Sequence, residues 1–223
     1  MKVHKGSKLL FLGDSITDAG RTRPVGEGLF DPMGKGFVNV VTGLMGSCYP
    51  EYDIRIVNMG CSGDTVRHLK ERWQRDVENL TPDWLVVMIG VNDVWRQFDM
   101  PLITEQHVYI EEYETTLNEL VASAKTSIKG GIVLMSPHYI EPNPQDAMRS
   151  TMDKYGKVVE RVALKHNVIF VDIQAAFNDA LRYYNANTLA WDRVHPTIVG
   201  HSIIAKAFLN AIDFDWNHML KEN

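Results

Sequence analysis

Two cysteines in 223 residues, Cys48 and Cys61, are too few for a disulfide scaffold, and neither lies in a Cys-x-x-Cys or other zinc-like spacing. Both read as reduced, buried thiols. Positive charge is scarce as well: 23 Lys and Arg stand against 28 Asp and Glu, a formal net charge of −5 with no basic cluster. That balance argues against nucleic acid and anionic membrane as partners and favours a small neutral or cationic ligand. No apolar run is long enough to cross a bilayer. The run after Lys2 and Lys5 meets Gly13-Asp14 within a few residues, which fits neither a signal peptide nor a membrane span, so a cytoplasmic protein is expected. His-Glu-x-x-His, the P-loop and Gly-x-Gly-x-x-Gly are missing and the histidines are scattered; neither a metal nor a dinucleotide cofactor is expected. There is no internal repeat, low-complexity stretch, linker or charge block, and 45% of the residues are hydrophobic. Residues 1–223 therefore read as one domain with one substantial core.

What is present is a regular alternation of short apolar runs and amphipathic stretches. Leu9 to Leu12, Ile54 to Asn58, Trp84 to Gly90, Gly131 to Met135 and Val168 to Val171 read as strands. Trp84-Leu85-Val86-Val87-Met88-Ile89 is unbroken, as in a strand of a parallel sheet buried on both faces. Helices are expected at Phe37 to Tyr49, Gln106 to Lys125, Asp146 to His166, Ile173 to Tyr184 and Ile198 to Ile212. Another starts at Thr65, with Val66, Leu69, Trp73, Val77 and Leu80 on one face and Asp64 or Thr65 as its cap. The pattern predicts a three-layer α/β/α architecture: a flavodoxin-like, open, five-stranded parallel sheet with helices on both faces. In such a sheet, ligands bind beyond the carboxyl ends of the strands. Ser15, Gly63 and Asn92 all follow such ends and could share one crevice.

A serine hydroxyl near neutrality needs a base within hydrogen-bond reach and a third group to hold that base in the right tautomer. His195 and Asp192 meet this need, because a three-residue spacing on a loop lets the carboxylate accept from Nδ1–H while Nε2 points outward. Acyl transfer also needs donors for the developing oxyanion. The Ser15 and Gly63 backbone N–H groups and the Asn92 side-chain amide could supply them. Each element also has a plain structural use: Asp14-Ser15 as a turn or helix cap, Gly63 as a tight turn, Asn92-Asp93 as a turn cap, and Asp192 with Arg193 as a surface pair. Their joint occurrence favours chemistry. Gly-x-Ser-x-Gly is absent, so the scaffold differs from the α/β-hydrolase elbow. Cys61, two residues before Gly63, has no neighbour in sequence that would depress its pKa and is not expected to be a nucleophile.

Four blocks resemble the SGNH or GDSL hydrolases, a family named for its catalytic Ser, Gly, Asn and His. They are Phe11-Leu12-Gly13-Asp14-Ser15-Ile16-Thr17, Asn58 to Thr65, Gly90-Val91-Asn92-Asp93 and Asp192-Arg193-Val194-His195-Pro196, in the family's order. The resemblance implies a Ser15, Asp192, His195 triad and an oxyanion hole from Ser15, Gly63 and Asn92. Longer segments are similar to the intracellular acetylxylan esterases of this superfamily: Gly20-Arg21-Thr22-Arg23-Pro24 with Gly26-Glu27-Gly28, Asn92 to Gln97, and Ala190 to Pro196. That narrower resemblance implies a serine esterase removing acetyl groups from short xylo-oligosaccharides or related acetylated sugars, working as a homo-oligomer. Other activities of the superfamily remain open: a general short-chain esterase, a thioesterase or a lysophospholipase. So, more distantly, does a non-catalytic flavodoxin-like binding module.

Trp95 and Trp191 flank site positions, and each either stacks on a sugar face or packs in the core. The Gly/Pro-punctuated segment Asp18 to Gly36 is either a functional loop or a surface excursion; being polar, it offers no apolar lid for a lipid substrate. Phe214-Asp215-Trp216 either docks on its own domain or packs on a neighbouring subunit.

Overall fold

The apolar runs become the sheet of a computed structural model that describes residues 1–218. The last five residues of the expected domain lie outside the described residues. The strands are β1 (Lys8–Gly13), β2 (Arg55–Asn58), β3 (Trp84–Met88), β4 (Gly131–Met135) and β5 (Ile169–Val171). All pair in parallel in the order β2-β1-β3-β4-β5, the flavodoxin-like order. Gly13 pairs with Met88, Met88 with Met135, and Met135 with Val171, so four strands end level and expose one carboxyl edge.

Helices α1 (Ser15–Asp18), α2 (Phe37–Cys48), α3 (Val66–Trp73), α4 (Val91–Asp99), α5 (Ile110–Ser127), α6 (Ala147–His166), α7 (Ile173–Ala180), α8 (Ala186–Leu189) and α9 (Ile198–Ala211) surround it. Phe11 in β1 meets Phe37 and Phe208 edge-on, with ring centroids 5.7 and 5.2 Å apart, which seats α2 and α9 on one face. Tyr113 of α5 and Tyr155 of α6, 4.9 Å apart, pack on the other. Trp73 and Met152, apolar positions at helical spacing, are buried. Phe214 is buried against Tyr49 of the same chain at 5.1 Å, while Trp216 stays half-exposed.

Beyond shifted ends and the short α8, three elements differ from the sequence reading. No helix is expected between the Trp84 to Gly90 strand and Gln106; instead Gly90, at φ +126°, turns the chain directly into α4. Val91, Val94, Trp95 and Phe98 carry the helical spacing, but the turn chemistry of Gly-Val-Asn-Asp obscures it. After Trp73 the chain widens into a π-helical segment, Gln74–Glu78, instead of running on as regular helix to Leu80. The helix expected to reach Tyr184 stops at Ala180.

Gly60, after β2, lies so close to α1 that a Cβ there would stand 2.2 Å from the Asp18 backbone nitrogen. Backbone cannot yield as a flexible side chain can. Gly60→Ala is therefore expected to lower stability by about 1–3 kcal/mol in urea unfolding; an unchanged midpoint would show that the segment moves aside.

Candidate active site

Glycine is needed where β1 ends, because a Cβ on Gly13 would stand 2.4 Å from the Met88 carbonyl oxygen. The chain then turns at Asp14, whose Oδ1 accepts from the Ile16 N–H at 3.0 Å and caps α1. Ser15 is the first residue of that short helix. It stands on the carboxyl edge, half-buried.

The expected base, His195, arrives from the segment before α9, 180 residues away in sequence. Ser15 Oγ lies 2.9 Å from His195 Nε2, and His195 Nδ1 lies 2.6 Å from Asp192 Oδ2. Because the carboxylate can only accept, Nδ1 carries the proton and Nε2 of the neutral ring is left to accept from the serine hydroxyl. Asp192 Oδ1 also accepts from the backbone N–H groups of Val194 (3.0 Å) and His195 (2.7 Å). Burial opposes ionisation of Asp192, but the ring and backbone hydrogen bonds outweigh it and hold the carboxyl below its ordinary range. To fold so tightly, Arg193 takes φ +65°. The segment after β4 braces it there: Ile140 N–H donates to the Arg193 carbonyl at 2.8 Å and Glu141 pairs with the Arg193 guanidinium.

The turn after β2 supplies Gly63 at φ +87°. Among the described residues, the N–H groups of Ser15 and Gly63 donate to no acceptor. Asn92, buried at the start of α4, donates one Nδ2 hydrogen to the Asp64 carbonyl at 3.0 Å and keeps the second. The three expected oxyanion donors thus come from the ends of β1, β2 and β3.

Arginines that the sequence reading passed over hold these pieces in place. Buried Arg72 donates to Asp64 Oδ2 and Asp76 Oδ2, each at 2.6 Å, to the Met59 carbonyl at 2.8 Å and to the Gly13 carbonyl at 3.0 Å. Arg21, also buried, donates to the Gly60 carbonyl at 2.7 Å. Asp18 Oδ2 accepts from Ser62 N–H (3.0 Å), Ser62 Oγ (2.8 Å) and Arg23 (2.5 Å). The start of the Asp18 to Gly36 segment is therefore bound to the Gly63 turn. Nothing in sequence distinguishes Arg72 and Asp76, four apart on a helix, from an ordinary surface pair.

The two tryptophans differ. Trp95 is half-buried, its ring centroid 5.7 Å from that of His195, whereas Trp191 is 77% exposed beside Asp192. The Asp18 to Gly36 loop is less polar than it reads, since Leu29 and Phe30 stand 82% and 94% exposed at its far part. Both cysteines are unpaired and half-buried instead of fully buried. Burial pushes the Cys61 thiol up, away from thiolate chemistry. Among the described residues no helix is long and apolar enough to cross a membrane.

The model of the GDSL-like Lipase/Acylhydrolase family matches residues 11–203. An acetylxylan esterase of Geobacillus stearothermophilus is 56% identical over 216 residues, 97% of this chain and 98% of that protein. The crystal structure of a catalytic mutant, S15A, of the acetylxylan esterase Axe2 from the same organism superposes with a TM-score of 0.96 at 55% identity, over 99% of this chain and 100% of the other. LAE5, an alpha/beta hydrolase enzyme from the metagenome of Lake Arreo, Spain, matches at 51% identity and a TM-score of 0.94, over 96% and 98% of the two chains.

Two buried carboxyls lie beneath the site. Asp14 and Asp93 each use Oδ1 as an acceptor, from Ile16 and Val66 N–H, and leave Oδ2 without a partner. Burial pushes each to about 7. The native state therefore binds more protons at these groups than the unfolded chain does between about pH 4 and 7, and their contribution to stability is lost as pH rises through that interval. Buried His138 and His201, held neutral with pKa values lowered by burial to about 3 and 4, act in the opposite sense. They cancel in a difference measurement. Asp93→Asn keeps the acceptor for Val66 but cannot ionise. Its stability relative to the parent, from urea unfolding, is expected to improve between pH 5 and pH 8; a difference independent of pH would show that Asp93 is ionised throughout.

Proposed function

The chain belongs to the GDSL-like lipase/acylhydrolase family and is a carboxylic ester hydrolase, and from that premise we propose that Ser15, His195 and Asp192 form its catalytic triad. The observation that carries this reading is the continuous relay from Ser15 Oγ through His195 to Asp192, with contacts of 2.9 and 2.6 Å. As Ser15 Oγ attacks the ester carbonyl, its proton passes to His195 Nε2, and Asp192 stabilises the imidazolium. The carbonyl oxygen becomes an oxyanion that accepts from Ser15 N–H, Gly63 N–H and the second Nδ2 hydrogen of Asn92. Collapse of the tetrahedral adduct breaks the bond to the alcohol, and His195 returns its proton to the leaving alkoxide. A water then loses a proton to His195 and attacks the acyl-enzyme. That second adduct releases the carboxylic acid and the serine.

The substrate class proposed is an acetylated xylo-oligosaccharide or a closely related acetylated sugar. The acetylxylan esterase from Geobacillus supports it, as do Trp95, half-buried beside the His195 ring, and exposed Trp191, next to Asp192 in sequence, whose flat apolar faces suit sugar rings. The same relative's catalytic mutant S15A supports the role given to Ser15. Acetate release from acetylated xylo-oligosaccharides, followed by NMR, tests reaction and substrate together. Ser15→Ala is expected to abolish it, and Asn92→Ala to lower turnover on the order of 10²–10³-fold. Near-native hydrolysis by Ser15→Ala would sink the triad, and a preference for long acyl chains would point to a lysophospholipase or long-chain thioesterase instead.

The protein is further proposed to work in the cytoplasm as a homo-oligomer. Leu29, Phe30 and Tyr183 are each more than three-quarters exposed, and large apolar side chains at that exposure gain from burial between copies. Size-exclusion chromatography with light scattering is expected to give a multiple of the chain mass. A monomer throughout the micromolar range would overturn the assembly.

A further inference from the structure

The Asn92 amide is gripped at both ends, and only one of the two grips belongs to the backbone. Nδ2 faces the Asp64 carbonyl, while Oδ1 faces Arg96, four residues on along α4, whose Nη2 donates to it at 3.2 Å. Arg96 is itself fixed. Its Nη1 donates to Asp99 Oδ2 at 2.5 Å, and its guanidinium carbon lies 5.1 Å from the centre of the Trp95 ring. One helical face thus carries Asn92, Arg96 and Asp99 in register, because residues three and four apart on a helix are neighbours.

We propose that Arg96 is a positioning residue for the oxyanion hole, acting through the side-chain amide of Asn92. This rests on the role given to Asn92 above. An asparagine amide has two orientations that exchange its oxygen and nitrogen. Reversed here, it would set carbonyl against carbonyl at Asp64 and amino group against guanidinium at Arg96. The cation therefore penalises the orientation that would turn an oxygen toward the substrate oxyanion. It also draws electron density from the amide oxygen, and hydrogen bonds in series strengthen one another in a low-dielectric site, which makes the remaining N–H a better donor. A charge whose whole effect falls on the donor bears on the transition state more than on the bound substrate, so its loss appears in kcat.

Arg96→Met, which keeps the aliphatic stem, is expected to lower kcat for an activated acetate ester about tenfold with KM within about twofold. Arg96→Lys, which keeps the charge without the planar fork, should recover part of the loss. Asp99→Asn, which replaces the charged acceptor of the guanidinium with a neutral and weaker one, should give a smaller loss of the same kind. In an Asn92→Ala background, Arg96→Met is expected to cost less than about twofold, because the group it acts through is gone. Equal losses in both backgrounds would overturn the proposal and place the effect in Trp95, His195 or the fold at large. A loss under twofold from Arg96→Met, beside a loss of 100-fold or more from Asn92→Ala, would overturn it while leaving the oxyanion role intact. Near-native turnover by Asn92→Ala would remove the role of Asn92 and the proposal with it, even if Ser15→Ala remained inactive.

Discussion

A single buried guanidinium joins the parts on which the site depends. Arg72 binds the carbonyl at the end of β1, the carbonyl of Met59 after β2, and the carboxylates of Asp64 and Asp76, which precede and follow α3. With it, the turn bearing Gly63 and the end of β1 that precedes Ser15 share one buried donor group. Burying such a charge cluster adds little net stability relative to a well-packed apolar substitute, since desolvation offsets most of the attraction. Its consequence is geometric: it fixes how far the Gly63 turn stands from Ser15. Asp18, with Ser62 and Arg23, repeats the device on the outer side of the same turn.

The two halves of the proposed chemistry are built on different principles. Asp192 and His195 form a nearly self-contained unit, in which one carboxylate gathers a ring N–H and two backbone N–H groups within four residues. Such a unit needs bracing more than assembly, and Ile140 and Glu141 brace it from the β4 side. The oxyanion donors, in contrast, come from three strand ends and have no local reason to converge. The strands that carry them lie side by side: β1 and β3 end level at Gly13 and Met88, with β2 alongside β1.

Charge is distributed to suit the imidazole proposed to gain and lose a proton. Asp192 is held ionised by its hydrogen bonds, while burial keeps Asp14 protonated below about pH 7 despite its nearness to the site. His138 and His201 are kept neutral by burial. Neutral Nδ1 of His201 accepts from the Phe37 N–H at 3.2 Å and ties α9 to the start of α2. The anion that the imidazolium faces directly is therefore the one hydrogen-bonded to Nδ1.

The apolar runs of the sequence set out a five-stranded parallel sheet and put Ser15, Gly63 and Asn92 just after strand ends, and the spacing of Asp192 and His195 pairs those two. Unbroken apolar runs leave no face for water, and a carboxylate three residues before a histidine on a loop has few other ways to satisfy both. The start of α4 was hidden because Gly90-Val91-Asn92-Asp93 carries turn chemistry at the very point where the chain begins to coil. Only the tertiary structure decided what holds the Gly63 turn, which way the Asn92 amide faces, and that Arg72 and Arg96 serve the site instead of the surface. A helical arginine with an acid three or four residues away looks the same in sequence whether its other donors reach water or the backbone of a distant strand. Those donors are placed by contacts of long sequence separation, and no local pattern records them.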